Sequence, residues 1–195
     1  MHKKPLKGIQ SKNYPKYFKG TTLVELMMVV GVLAILGIVG VPSFLSIITK
    51  ARITSETNQI NSLIRFARFT AIEQEQTTVV CPANDYSICE SNWNEPKIVF
   101  IDNNGNNQRD PQEPMLTSFF DDKAHNQVFS RNKVIKFYES GVTASPASIR
   151  ICPNSQDASY ARLLTVSLQG KIRLSSDEDK DGIHENSSGK ALSCL

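Results

Sequence analysis

The first twenty residues contain no acid, the run from Leu26 to Thr49 contains no charge of either sign, and the whole chain of 195 residues holds only three histidines. Each shortage removes a class of function. Six lysines (Lys3, Lys4, Lys7, Lys12, Lys16 and Lys19) occupy the acid-free segment, so 16 of the 22 Lys+Arg remain beyond Gly20, against 19 Asp+Glu. The net charge of +3 is thus a property of the N-terminus, and the remainder is net negative. That excludes a protein that grips nucleic acid through bulk positive charge, and any anion binding has to be local. Four cysteines, at positions 81, 89, 152 and 194, never fall at C-x₂₋₄-C spacing, and His125 and His184 are not placed to complete a set, which argues against zinc. There is no G-x-S-x-G, H-E-x-x-H or G-x-x-x-x-G-K, and no spacing marks two carboxylates as an acid and base pair. The enzyme reading is poor. With 40% apolar and 21% charged residues, no internal repeat and no low-complexity tract, the chain reads as one folded domain with something attached.

The attachment is the charge-free run, 24 residues rich in Leu, Val, Ile and Met. A helix rising about 1.5 Å per residue needs about 20 such residues to span the hydrocarbon layer. The lysines directly before it place the N-terminus in the cytoplasm and the rest outside. A cleaved secretory signal is the alternative, but residues 37–46 offer no A-x-A site. Glu25 stands at the edge of the apolar run, where a carboxylate either sits at headgroup depth or needs a partner.

The segment Lys19-Gly20-Thr21-Thr22-Leu23-Val24-Glu25-Leu26-Met27 resembles the signal of type IV pilins and pseudopilins. The resemblance implies that a prepilin peptidase cuts after Gly20 and methylates the new N-terminus at Thr21, where the family normally has phenylalanine. Pro42, twenty-one residues after Thr21, matches the helix-kinking proline of pilin N-terminal helices. Glu25 is expected to meet the free N-terminal amine of a neighbouring subunit. A carboxylate buried unpaired in lipid costs several kcal/mol, so the filament register that pairs it is selected.

Beyond Pro42, Ile53, Thr57, Ile60, Ile64, Ala67 and Ala71 recur at spacings of three and four, one stripe along a helix, while Arg65 and Arg68 are expected on its solvated face. One helix from about Thr22 to Gln76 is predicted. The chain is expected to divide into a leader (1–20), a transmembrane part (21–49), an amphipathic part (50–76) and a periplasmic β-rich domain (77–195). In that domain β-prone runs are expected at 77–81, 97–101, 115–118, 134–138, 148–152, 162–168 and 171–174, separated by Asn, Asp, Gly, Pro and Ser. Ser167-Leu168-Gln169-Gly170-Lys171-Ile172 reads as a tight hairpin with Gly170 at positive φ. A helical spine packed on an antiparallel sheet is an α+β plan.

Cys81-Pro82, Cys89, Trp93 and Ile98-Val99-Phe100-Ile101-Asp102-Asn103-Asn104-Gly105 narrow the resemblance to the GspH/FimT branch of pseudopilins and minor pilins. Outside the cytoplasm the cysteines should be oxidised. Of three possible pairings, Cys81–Cys89 and Cys152–Cys194 are favoured.

Two segments are candidates for binding. Gly170-Lys171-Ile172-Arg173 stands where FimT-type minor pilins carry a G-R-x-R motif that contacts DNA during uptake for natural transformation. In a strand, Lys171 and Arg173 fall on one face about 7 Å apart, near the spacing of successive phosphates, and Arg162 across the hairpin could join them. Such contacts hold double-stranded DNA without reading its sequence. Lysine at 171 gives up bidentate phosphate recognition, the acids from Asp177 to Asp181 should repel DNA, and a merely solvated hairpin edge weighs equally. Asp177-x-Asp179-x-Asp181-Gly182 matches the first half of an EF-hand-type calcium loop, with Glu185 at the ninth position but Ser188 at the twelfth. Asp102, Asn104, Asn106, Asp110 and Glu113 form a weaker echo, with Asn107 where the glycine would be. Apart from this calcium no cofactor is expected.

The resemblance implies an inner-membrane protein with a periplasmic head, partnered by other pilins or pseudopilins. The expected role is that of a FimT-like minor pilin that primes or joins a type IV pilus. The alternative is a GspH-like pseudopilin of type II secretion.

Overall fold

The computed structural model describes residues 20–120 and 126–194, except for the side chains of residues 38–42. The expected leader, Gly20 apart, and the side chain of Pro42 lie outside the described residues. The chain divides into two compact units that meet between Ser43 and Phe44, and helix α1 (Leu23–Glu73) contributes to both.

In the first unit α1 begins at a polar cap. Thr22 Oγ1 accepts the backbone N–H of Glu25 at 3.2 Å, satisfying a donor that the first helical turn cannot pair internally. The residues that follow are apolar on every side and exposed: Leu26, Met27, Met28, Val29, Val30, Val32, Leu33, Ile35 and Leu36 each show between 51% and 69% of their surface. Among the described residues no helix is long and apolar enough to cross a membrane; the charge-free run passes through residues 38–42, whose side chains are not described.

In the second unit the C-terminal part of α1 turns its stripe inward. Ile53, Thr57, Ile60, Ile64, Ala67 and Ala71 are all buried, joined by Leu63 and by Glu56. Each isoleucine buried this way contributes roughly 1.5–3 kcal/mol, which a helix of modest intrinsic propensity needs in order to persist. Among the described residues eight strands follow: β1 (Thr78–Pro82), β2 (Lys97–Ile101), β3 (Met115–Phe119), β4 (Asn126–Ser130), β5 (Ile135–Phe137), β6 (Ala147–Pro153), β7 (Arg162–Val166) and β8 (Ile172–Leu174). They form two four-stranded antiparallel sheets rather than one, in the orders β3-β2-β1-β5 and β4-β6-β7-β8. Every residue of β1 and β2 is buried. Val80 and Val99 belong to the core built on α1, and Val79, Cys81, Ile98 and Phe100 to a second cluster with Ala83 and Cys89. A strand covered on both faces has no reason to alternate, and these two do not.

β4 was not expected from the sequence. Asn-Gln-Val-Phe-Ser has only two apolar residues, and its pairing is decided from outside: Val128 pairs with Ile151 of β6, the Asn126 amide donates to Glu56 Oε2 at 2.8 Å, and Asn94 Oδ1 accepts the Val128 N–H at 2.8 Å. Trp93 is buried in the same core and donates its indole N–H to the Asn132 carbonyl at 2.8 Å.

Candidate functional site

The β7–β8 hairpin forms as its turn residues dictate. Gly170 has φ +72°, its N–H reaches the Ser167 carbonyl at 2.8 Å, and the Ser167 N–H reaches the Lys171 carbonyl at 3.0 Å. A side chain at 170 would also place its Cβ 2.0 Å from the Gly141 carbonyl oxygen, so glycine is required twice over. Arg68 explains the crowding. Its Nε donates to Gly141 O at 3.0 Å and its guanidinium reaches Gln169 O at 3.4 Å, so this helical arginine ties two turns together. It is not a solvated residue, as its helix position suggested; Arg65, which bonds Asn61 at 3.0 Å, remains on the exposed face.

Lys171 and Arg173 are both exposed and lie in the same alternation. Arg162 does not join them. Arg173 pairs with Thr165, whereas Arg162 alternates with Leu164 and Val166, on the opposite side of the sheet. Its Nη1 donates to Ala161 O at 2.7 Å and Ser159 O at 3.4 Å. Burial lowers its pKa, against a raising effect of the Asp177 carboxylate. The hairpin alone was too coarse a guide, because a three-residue offset along a strand reverses the face.

Arg150 was missed. It pairs with Leu163, which puts it in the alternation of Thr165 and Arg173 on this same outer face, and its guanidinium lies 5.4 Å from the Phe129 ring centroid. Alternation along β6 could have indicated it only once the register between β6 and β8 was known. The outer face therefore carries Arg150, Lys171 and Arg173.

Beside it lies the acidic loop. Asp177, Asp179, Asp181 and Glu185 each offer one carboxylate oxygen within 4.8 Å of the others, an arrangement suited to a hard cation. His184 stands next to it with Nδ1 2.8 Å from the Ser175 carbonyl; burial, then the charge of Arg162, lower its pKa. The second acidic loop is closed by the protein itself. Asp102 accepts N–H groups of Gly105 and Asn107 at 2.9 and 3.2 Å and pairs with the Lys136 ammonium at 2.7 Å, while Glu113 accepts those of Asn103 and Asp110 at 2.7 and 3.0 Å. A lysine therefore stands where the echo of a calcium loop would need an ion.

Both favoured disulfides are present, Cys81–Cys89 and Cys152–Cys194, with Cα separations of 5.5 and 5.8 Å. All four cysteines are consumed, which removes the sulfur ligands a zinc site would need.

A helix that is bare and apolar in one part and buried by a two-sheet head in the other, with the head stapled by disulfides, defines a pilin-like subunit. A family model described as Type II transport protein GspH matches residues 56–170, and the chain belongs to that family. Among curated proteins none matches the sequence significantly. Two crystal forms of the type IV minor pilin FimU of Pseudomonas aeruginosa superpose with TM-scores of 0.54 and 0.51, each at 18% identity, covering 74% and 73% of this chain and 96% and 99% of that one. They share its fold. The minor pseudopilin EpsH from the Type 2 Secretion System of Vibrio cholerae gives a TM-score of 0.44 at 14% identity over 62% of this chain and 94% of its own.

Proposed function

We propose that this chain is a minor pilin of FimT type, cleaved after Gly20, held in the inner membrane by its N-terminal helix and drawn into a type IV pilus near its tip. The observation that carries this reading is the helix from Leu26 to Leu36, apolar on all sides with more than half of each large side chain uncovered. Such a helix is stable in lipid or in a bundle of its own kind, and a filament subunit moves from one to the other. The cap at Thr22 supports the register: cleavage after Gly20 would leave the new amine at Thr21, one residue before the cap and four before Glu25. Mass spectrometry of the exported protein is expected to find Thr21 first and methylated. Glu25→Ala should then be processed normally and fail to assemble. A mature chain that keeps residues 1–19 overturns the proposal.

DNA is the proposed ligand of the head. Lys171 and Arg173 project from the hairpin edge toward solvent, and Arg150 extends the positive face across β7. In a Lys171→Ala/Arg173→Ala variant the slope of log affinity against log salt should flatten by about 1.8, at about 0.9 per phosphate lost. An unchanged slope removes DNA from the account.

The second reading is a GspH-like pseudopilin of type II secretion, favoured by the family match over residues 56–170. Deletion of the gene separates them: loss of pili and transformation supports the first, and loss of secreted proteins the second.

A further inference from the structure

We propose that the loop from Asp177 to Glu185 is a calcium site that locks the C-terminal tail onto the second sheet, whichever filament the subunit serves.

The loop is closed by backbone pairing at its ends. The Glu185 N–H donates to Ser176 O at 2.9 Å, and Glu185 also bridges to Ala191. The chain then returns through Leu192, buried with Ala161 and Cys152, to the disulfide at Cys194. Within the loop each carboxylate spends one oxygen on a backbone N–H. Asp177 Oδ2 accepts from Gly182 at 3.1 Å, Asp179 Oδ1 from Asp181 at 3.1 Å, Asp181 Oδ1 from Ile183 at 2.7 Å, and Glu185 Oε2 from Glu178 at 2.8 Å. These bonds orient the side chains and leave a second oxygen on each acid.

Two of those second oxygens point to a ligand. Asp177 Oδ1 and Glu185 Oε1 are buried and accept no hydrogen bond, and Glu185 as a whole is only 6% exposed. A native fold seldom leaves a buried carboxylate oxygen unpartnered, because desolvation without compensation is costly. Here the uncompensated oxygens belong to a group of four acids whose ligand atoms lie within 4.8 Å of one another. Ligands on opposite sides of a calcium ion, each at about 2.4 Å, are separated by about that distance. A divalent cation at the centre would satisfy both buried oxygens and offset four like charges. Oxygen-only donors select a hard ion, and four carboxylates on one loop suit the irregular oxygen shell of calcium better than magnesium, which demands about 2.1 Å and near-octahedral order. Glu185 at the ninth position does the work that the missing acid at position twelve would have done, because the strand-like pairing with Ser176 folds it back over the loop.

The test uses the full chain in detergent, stripped with a chelator and titrated with calcium chloride or magnesium chloride. Calorimetry is expected to give one saturable calcium site in the range of extracellular modules, about 10⁻⁴–10⁻³ M, with a weaker response to magnesium. Hydrogen exchange should slow across residues 177–186 when calcium is added. Asp179→Asn/Asp181→Asn alters two exposed side chains and should fold; it is expected to bind calcium at least about tenfold more weakly, since each loses a charged ligand. Asp110→Asn, in the other acidic loop, should leave binding unchanged. The proposal is overturned by no heat and no exchange protection at about 10 mM calcium, ten times the weak end of that range, by undiminished binding in the double variant, or by an equal response to magnesium.

Discussion

The two acidic loops, 102–113 and 177–185, carry similar strings of oxygen-bearing side chains and reach opposite solutions. In the first, Asp102 is fully buried against Lys136, and its remaining capacity is met by backbone N–H groups. In the second, the acids meet the backbone once each and leave two buried oxygens without a partner. The difference teaches that ligand spacing does not define a cation site. What defines it is whether the fold has already brought a cation into contact with the buried oxygens, and in the first loop that lysine arrives from β5, 34 positions away in the chain.

The largest expected effect comes from removing that built-in cation. Lys136→Met strands the Asp102 carboxylate inside the head, and chemical denaturation should show a loss of about 3–5 kcal/mol. A loss below about 1 kcal/mol would break the comparison, since exposed ion pairs are worth no more than that. Next is the staple beside the second loop. Replacing Cys152 and Cys194 by serine opens a loop of sequence separation 42 and should cost about 4 kcal/mol, against about 2.6 for the same change at Cys81 and Cys89, separation 8. Equal costs would mean that the tail is held by something other than its covalent link, and calcium dependence in the serine variant would name it. The smallest effect tests a carboxylate that lacks burial altogether. Asp85 accepts N–H groups of Ile88 at 2.9 Å and Ser87 at 3.0 Å, and these hold its pKa below 3.8. Its depressed value means the contribution is complete above the unfolded pKa and disappears as pH falls through the folded one. Amide protection at Ser87 and Ile88 should therefore decline only below about pH 3.8, and Asp85→Asn should make it independent of acid.

Periodicity made α1 legible. Its stripe from Ile53 to Ala71 is buried throughout, because burial of one helical face is written at spacings of three and four. The turn at Gly170 was also readable, from backbone sterics, and the two cysteine pairs that form are the ones favoured among the three pairings the sequence left open. β4 was not, because its five residues have no pattern of their own and are held by Ile151, Glu56 and Asn94. Nor was the division into two sheets, since a list of strands does not say which ones pair. At the basic hairpin, local sequence put Lys171 and Arg173 on one face but could neither exclude Arg162 nor include Arg150, because both depend on register between strands.

By itself the sequence indicated the spine: a basic N-terminus, an uncharged run headed by Glu25 and an amphipathic continuation, with 81–89 and 152–194 favoured among three cysteine pairings. These follow from hydrophobicity, helical period and loop length, all of which act between near neighbours or through the chain's own connectivity. Only the tertiary structure decided that Arg68 clamps two turns, that Lys136 neutralises Asp102 and that Glu185 is buried with an oxygen to spare. Each of those depends on which distant group arrives to meet a charge, and a charge taken from water is governed by that arrival more than by its own neighbours in sequence.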